Sequence, residues 1–196
     1  MRVCDFIARW LKEKGITHCF GFQGGAVTPL IDAIDKEGIV FFQSHHEQAG
    51  GFAAEGYARI TGKLGVAIAT NGPGVTNFIT SVANAYLDSS PCLFITGQVN
   101  TADMKTGTVR QNGFQEVDNV ALAQPVTKYA HTVKDITEIK YHLDKAADIA
   151  LSGRKGSVLL DFPLDILMSE MNITAQKEYR PEHKAKPSQA KPSRRY

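Results

Sequence analysis

The stretch SHHEQAGGFAAEGYAR, residues 44–59, holds the densest group of residue types able to do chemistry: His45, His46 and Glu47 side by side, then small residues, then Arg59. A shared metal is the first chemistry to test. Adjacent side chains diverge by about 100° on a helix and point to opposite faces on a strand, so the two histidines do not converge on one ion. No HExxH spacing is present, nor a downstream His or Cys cluster to complete a tetrahedral site. Glu47 falls where an apolar strand pattern gives way to a helical one. There it serves either as a first-turn carboxylate favoured by the helix dipole or as an acid/base group tuned by burial. Glu55 and Arg59, at i and i+4, read as a structural ion pair.

Two glycine-rich turns, Gly24-Gly25 and Asn71-Gly72-Pro73-Gly74, each follow an apolar run and precede a helix. Such turns can hold phosphate at a helix N-terminus, but neither matches GxGxxG or GxxxxGK[ST]. Pro73 suits a first helical position and Asn71 a cap. Helix-interior glycines at 50, 51 and 56 each cost about 1 kcal/mol relative to alanine, so they predict close approach of a neighbour or ligand.

The elements that must position these residues alternate. Helical periodicity covers 3–14, 26–36, 47–61, 73–87 and 136–151. Strand-like runs cover 18–22, 39–43, 64–69, 92–96, 126–131 and 157–162, and residues 97–118 read as a long polar loop. Strands alternating with helices predict an α/β fold, a doubly wound, mostly parallel sheet with helices on both faces. Ligands in such sheets bind at the carboxyl ends of the strands, so the loops at 21–26, 44–47, 71–74 and 97–116 should share one rim.

With 43% hydrophobic and 21% charged residues, 196 residues are enough for one domain, read as 1–169. Residues 170–196 read as a linker: from Gln176 onward seven Lys and Arg stand against two Glu, among Pro and Ser. The basic tail lacks the aromatic interleaving of a single-strand nucleic-acid binder, so no nucleic-acid partner is expected. Three cysteines without CxxC spacing point to a reducing compartment, and no apolar run approaches a membrane span. A cytoplasmic location is expected.

Taken together, GFQGGAVTPLIDAI, HHEQAGGFAAEGYARITGKLGVAIATNGPGVTN, PCLFITGQV, GFQEVD and SGRKGSVLLDFPLDI occur in order. They resemble the N-terminal pyrimidine-binding domain of thiamine-diphosphate enzymes of the acetolactate synthase-like group, over residues 1–167. The resemblance implies that Glu47 hydrogen-bonds N1′ of the cofactor's aminopyrimidine and favours the tautomer that deprotonates the thiazolium. It implies that Gly25 and Ala26 line the active site and that Pro73 and Asn77 lie beside the pyrimidine. Phe114 and Gln115 are implied near substrate and flavin, and Arg154 on FAD. The implied reaction is decarboxylation of a 2-oxo acid such as pyruvate with transfer of the two-carbon unit. The alternatives are another thiamine-diphosphate decarboxylase or carboligase, acting for example on a sugar intermediate, and a non-catalytic module that keeps the fold. Three departures bear on substrate: Gln23 and Asn100 stand where the group commonly has proline, and segment 100–113 is longer.

No GDG motif for the Mg²⁺ that holds the diphosphate is found in these residues. The resemblance therefore implies that the metal is held by a C-terminal domain or subunit. The chain reads as an excised domain or a subunit needing a partner, inactive alone, and a homodimer is expected.

Overall fold

The computed structural model describes residues 1–105 and 109–181. Its elements run α1 (Val3–Glu13), β1 (His18–Gly21), α2 (Thr28–Lys36), β2 (Val40–Gln43), α3 (Glu47–Thr61), β3 (Gly65–Ala69), α4 (Pro73–Leu87) and β4 (Cys92–Gln98). Then follow α5 (Asn119–Ala123), β5 (Tyr129–Thr132), α6 (Ile139–Leu151), β6 (Ser157–Pro163) and α7 (Leu164–Met168). The six strands form one parallel sheet in the order β2-β1-β3-β4-β6-β5. This is the doubly wound α/β fold that the alternating pattern predicts.

The strand period of two sorts side chains onto two cores. Val66, Ile68, Leu93, Ile95, Val158 and Leu160 face the layer of α1, α2, α6 and α7. Ala67, Ala69, Phe94 and Leu159 face α3, α4 and α5. The alanines of β3 let the second layer sit close, and Phe78 of α4 fills the remaining space edge-on against Phe94, with centroids 5.4 Å apart. Because β3, β4 and β6 are covered on both faces, every residue in them is buried.

The boundaries move where turn chemistry overrides periodicity. Helix α2 starts at Thr28 rather than 26, because Val27 N–H and Thr28 N–H both donate to Gly24 O and close a turn first. Strand β5 starts at Tyr129, after a 3₁₀ turn over Gln124–Val126 that contains Pro125. Gly97 and Gln98 belong to β4, paired with Phe162 and Pro163, and not to the following loop. Two short helices escape the periodicity: α5, capped by Asp118 accepting from Ala121 N–H at 2.9 Å, and α7 directly after β6. Residues 136–138 form a 3₁₀ turn leading into α6.

Beyond α7, residues 170–181 lie along the body. Met171 N–H donates to Met1 O, Lys177 N–H to Thr137 O, and Tyr179 Oη to Asp148 Oδ2. The most basic part of the expected linker, 182–196, lies outside the described residues, as do 106–108 of the long loop. Among the described residues no helix is long and apolar enough to cross a membrane.

Candidate functional site

Strand β1 leaves the sheet toward α2 on one face, while its neighbour β3 leaves toward α4 on the other. In a doubly wound sheet such a divergence is where a ligand crevice forms, at the carboxyl ends of the two strands. The turn from β2 into α3 is pinned above it: Ser44 N–H and Oγ both donate to Gly21 O, at 2.7 and 3.0 Å, and Ser44 Oγ also reaches His46 O. His46 is the α3 N-cap, its ring Nδ1 accepting from Gln48 N–H at 3.3 Å, and His45 is exposed. His46 closes the turn, and Glu47 is the first residue of the helix behind it.

The small residues of α3 set where Glu47 goes. A Cβ on Gly50 would stand 2.6 Å from Gly21 Cα, and one on Gly51 would stand 2.0 Å from Ser81 Oγ. Glycine at both positions lets α3 press onto the end of β1 and onto α4 at once. Glu47, only 9% exposed, then lies over the first turns of α4, where Asn77 Nδ2 donates to its Oε2 at 2.9 Å. Its Oε1 has no hydrogen-bond partner among the described residues, and a Cβ on Gly74 would lie 3.6 Å from it. A nearly buried carboxyl with one oxygen fixed and the other presented over a glycine can exchange a single proton with a group docked in the crevice.

Helix α4 opens differently from the sequence expectation. Asn71 does not cap it; Gly72, with φ +62°, is the N-cap residue and Pro73 follows in the first turn. The Asn71 amide is spent elsewhere, donating to Phe114 O at 3.1 Å and to Gln115 O at 3.2 Å. Phe114 is 81% exposed and Gln115 holds a φ of +57°. Glu116 ties the same loop from inside, accepting N–H bonds from Lys105, Asn112 and Gly113. Burial pushes its pKa up, but the three N–H groups outweigh that and hold it below the usual carboxylate range.

The other expected site residues separate. Ala26 packs against Gly97 at the end of β4, while Gly25 faces open space. Pro73 and Asn77 lie on the α4 segment that meets Glu47. Arg154, just before β6, sits at the amino-end rim, opposite Glu47. Its Nε donates to Ser89 Oγ at 2.7 Å and its guanidinium to Leu87 O at 3.0 Å, beside a cavity of about 210 Å³. Glu55 is structural as expected, and more so: besides Arg59 it accepts from Asn84 at 2.7 Å and Ser90 at 2.9 Å.

Asp161, fully buried in β6, escaped the sequence reading. Desolvation raises its pKa to about 6, against hydrogen bonds from Asn119, Thr96 and Thr132 that favour the charge. The one available signal is a carboxylate inside the apolar run VLLDF. Among the described residues no three His, Cys, Asp or Glu gather to hold a metal ion.

Residues 1–122, which supply the crevice, Glu47, Asn77 and the Phe114 loop, match the family described as thiamine pyrophosphate enzyme, N-terminal TPP binding domain. The chain belongs to this family. It is 42% identical over 173 residues to the acetolactate synthase isozyme 2 large subunit of Escherichia coli (strain K12), covering 88% of this chain and 31% of that protein. Against the acetolactate synthase large subunit of Lactococcus lactis subsp. lactis (strain IL1403), identity is 41% over 168 residues, covering 85% and 28%. The probable acetolactate synthase large subunit of Methanocaldococcus jannaschii gives 39% over 173 residues, covering 88% and 28%. The chain thus spans under a third of the length of these relatives.

Proposed function

We propose that this chain forms the pyrimidine-binding part of a thiamine-diphosphate-dependent 2-oxo acid carboligase or decarboxylase of the acetolactate synthase type. One observation carries the reading: Glu47 is nearly buried, with Oε2 held by Asn77 and Oε1, over Gly74, without a partner among the described residues. These residues fit an aminopyrimidine, which needs a carboxyl at one ring nitrogen and a wall without side chains beside it. The bound cofactor supplies the electron sink for decarboxylation. Glu47 would hold a proton toward N1′ through Oε1, with Asn77 fixing the carboxyl plane, and Pro73 and Gly74 would form the wall beside the ring.

Around that centre, Gly25 and Ala26 line the crevice from the β1 side, and Phe114 and Gln115 meet the 2-oxo acid. Mg²⁺ and the diphosphate belong to a C-terminal domain or subunit that completes the site, and two copies pair as a cytoplasmic dimer. An FAD on Arg154 would have to extend to the amino-end rim, opposite Glu47. A second reading, a related decarboxylase or carboligase with another substrate, has the wall after β4 in its favour. There Asn100 donates to Asp103, and Thr101 is anchored to Asp165 through N–H at 3.0 Å and Oγ1 at 2.5 Å. A non-catalytic module would have no use for an oriented buried carboxyl at residue 47.

The test is Glu47→Gln in the complete enzyme, with turnover and cofactor C2 hydrogen exchange both measured. The amide keeps the shape and cannot share the proton, so both rates fall by about 10²- to 10⁴-fold. Near-normal rates in both assays would overturn the assignment.

A further inference from the structure

The start of α4 touches two parts of the rim at once. On one side Gly74 and Asn77 meet the Glu47 carboxylate. On the other side, one turn earlier, Asn71 and Gly72 meet the Phe114 loop. Asn71, 6% exposed, donates both its amide hydrogens' bonds to that loop, at Phe114 O and Gln115 O. Thr70 Oγ1 donates to Asn71 Oδ1 at 3.1 Å and so fixes which end of the amide faces the loop. The fit at Gly72 is equally close: a Cβ there would stand 2.2 Å from Gln115 O.

What is held is a conformation that the loop would not choose. Gln115 lies in the left-handed region at φ +57°, disfavoured for a residue with a side chain, and it persists only where the surroundings over-determine it. Glu116 closes the loop with its three N–H bonds, yet none of these reaches the carbonyls of residues 114 and 115. Among the described residues, Asn71 is the hydrogen-bond donor to those carbonyls. The result is an apolar ring, Phe114, presented to solvent at 81% exposure from a backbone with little freedom.

Resting on the function proposed above, we infer that Asn71 is a positioning residue for substrate selection. It fixes Phe114 at a set place relative to Glu47, so that the gap between them limits the side chain of the 2-oxo acid. Asn71 touches neither substrate nor cofactor in this role; it acts through Phe114.

The full-length protein tests this with Asn71→Ala and Phe114→Ala. In cofactor-free protein, hydrogen exchange at residues 113–117 should rise about tenfold or more in Asn71→Ala, since a local clamp opens without global unfolding. Across 2-oxo acids of increasing chain length, the ratio of kcat/KM for short over long substrates should fall at least about fivefold in Asn71→Ala. Phe114→Ala alters an exposed side chain, so it leaves folding intact and should reproduce the lost ratio. Unchanged exchange in Asn71→Ala overturns the clamp. An unchanged ratio in Phe114→Ala, or an equal loss for every substrate in Asn71→Ala, overturns its role in selection. Wild-type protein without turnover on any 2-oxo acid overturns the functional reading and the selection role with it, while the exchange measurement still decides the clamp.

Discussion

Asn77 Nδ2 donates to Glu47 Oε2 at 2.9 Å, joining the first residue of α3 to the second turn of α4 across the crevice. The bond is part-buried and charge-assisted, the kind worth about 1.5–3 kcal/mol. Asn77→Ala should therefore lower kcat in the complete enzyme by about 10- to 100-fold. Asn77→Asp replaces a donor with a second carboxyl facing the first, and one of the two must then hold a proton. Its acidic limb in a kcat–pH profile should move to higher pH, which Asn77→Ala should not reproduce. A profile identical in the two variants would mean that Asn77 only packs.

The close contact of Gly51 with α4 makes a stability prediction. In Gly51→Ala the new methyl meets Ser81 Oγ at 2.0 Å and Ser81 Cβ at 2.6 Å, both on a packed helix. Separating α3 from α4 should destabilise the domain by about 1–3 kcal/mol in urea melts. Ser81→Gly removes both obstructing atoms, so the double variant should recover part of the loss. Without recovery, the glycine would be answering to something other than α4.

How far the sequence led depended on the range of the interactions. Helix α4 and the start of α3 were legible because their signals are local: Pro73 in a first turn and Glu47 after a strand. The fold class followed from alternation alone. Asn71 shows the limit, since a residue with every local mark of a cap gives its amide to carbonyls more than forty residues away. Asp161 shows it again, because its partners come from β4, α5 and β5. Arg154 was legible as a residue type, but which rim it occupies depends on the direction of β6.

On the proposed reading, the chain by itself holds one end of a cofactor and no metal site among its described residues. Calorimetry with thiamine diphosphate and Mg²⁺ should show no stoichiometric tight binding to this polypeptide, and no turnover of pyruvate should be detected. Addition of the C-terminal part of the enzyme should restore both. Stoichiometric submicromolar binding by the chain alone would show that the pyrimidine crevice carries far more of the affinity than one carboxyl and one glycine wall provide.

Asp161 gives a prediction in which pH sets the sign. Its folded pKa is raised from 3.8 to about 6 by burial, so the folded state holds this proton more tightly than the unfolded chain does. Its stabilising contribution is complete below pH 3.8 and is lost as pH rises through about 6. The difference corresponds to about 3 kcal/mol at 1.36 kcal/mol per pKa unit. Other groups titrate across the same range, so the informative quantity is the difference between wild type and Asp161→Asn. An amide stays neutral at every pH, and with its oxygen toward Thr96 and Asn119 its NH₂ can donate to Thr132 Oγ1, where Asp161 now accepts at 3.0 Å. The variant should match or fall below wild type at pH 4 and gain on it steadily between pH 4 and 7. Urea midpoints at pH 4, 5.5 and 7.5 measure this, and a constant difference across the three would show that Asp161 holds its proton no more tightly in the folded state than in the unfolded chain.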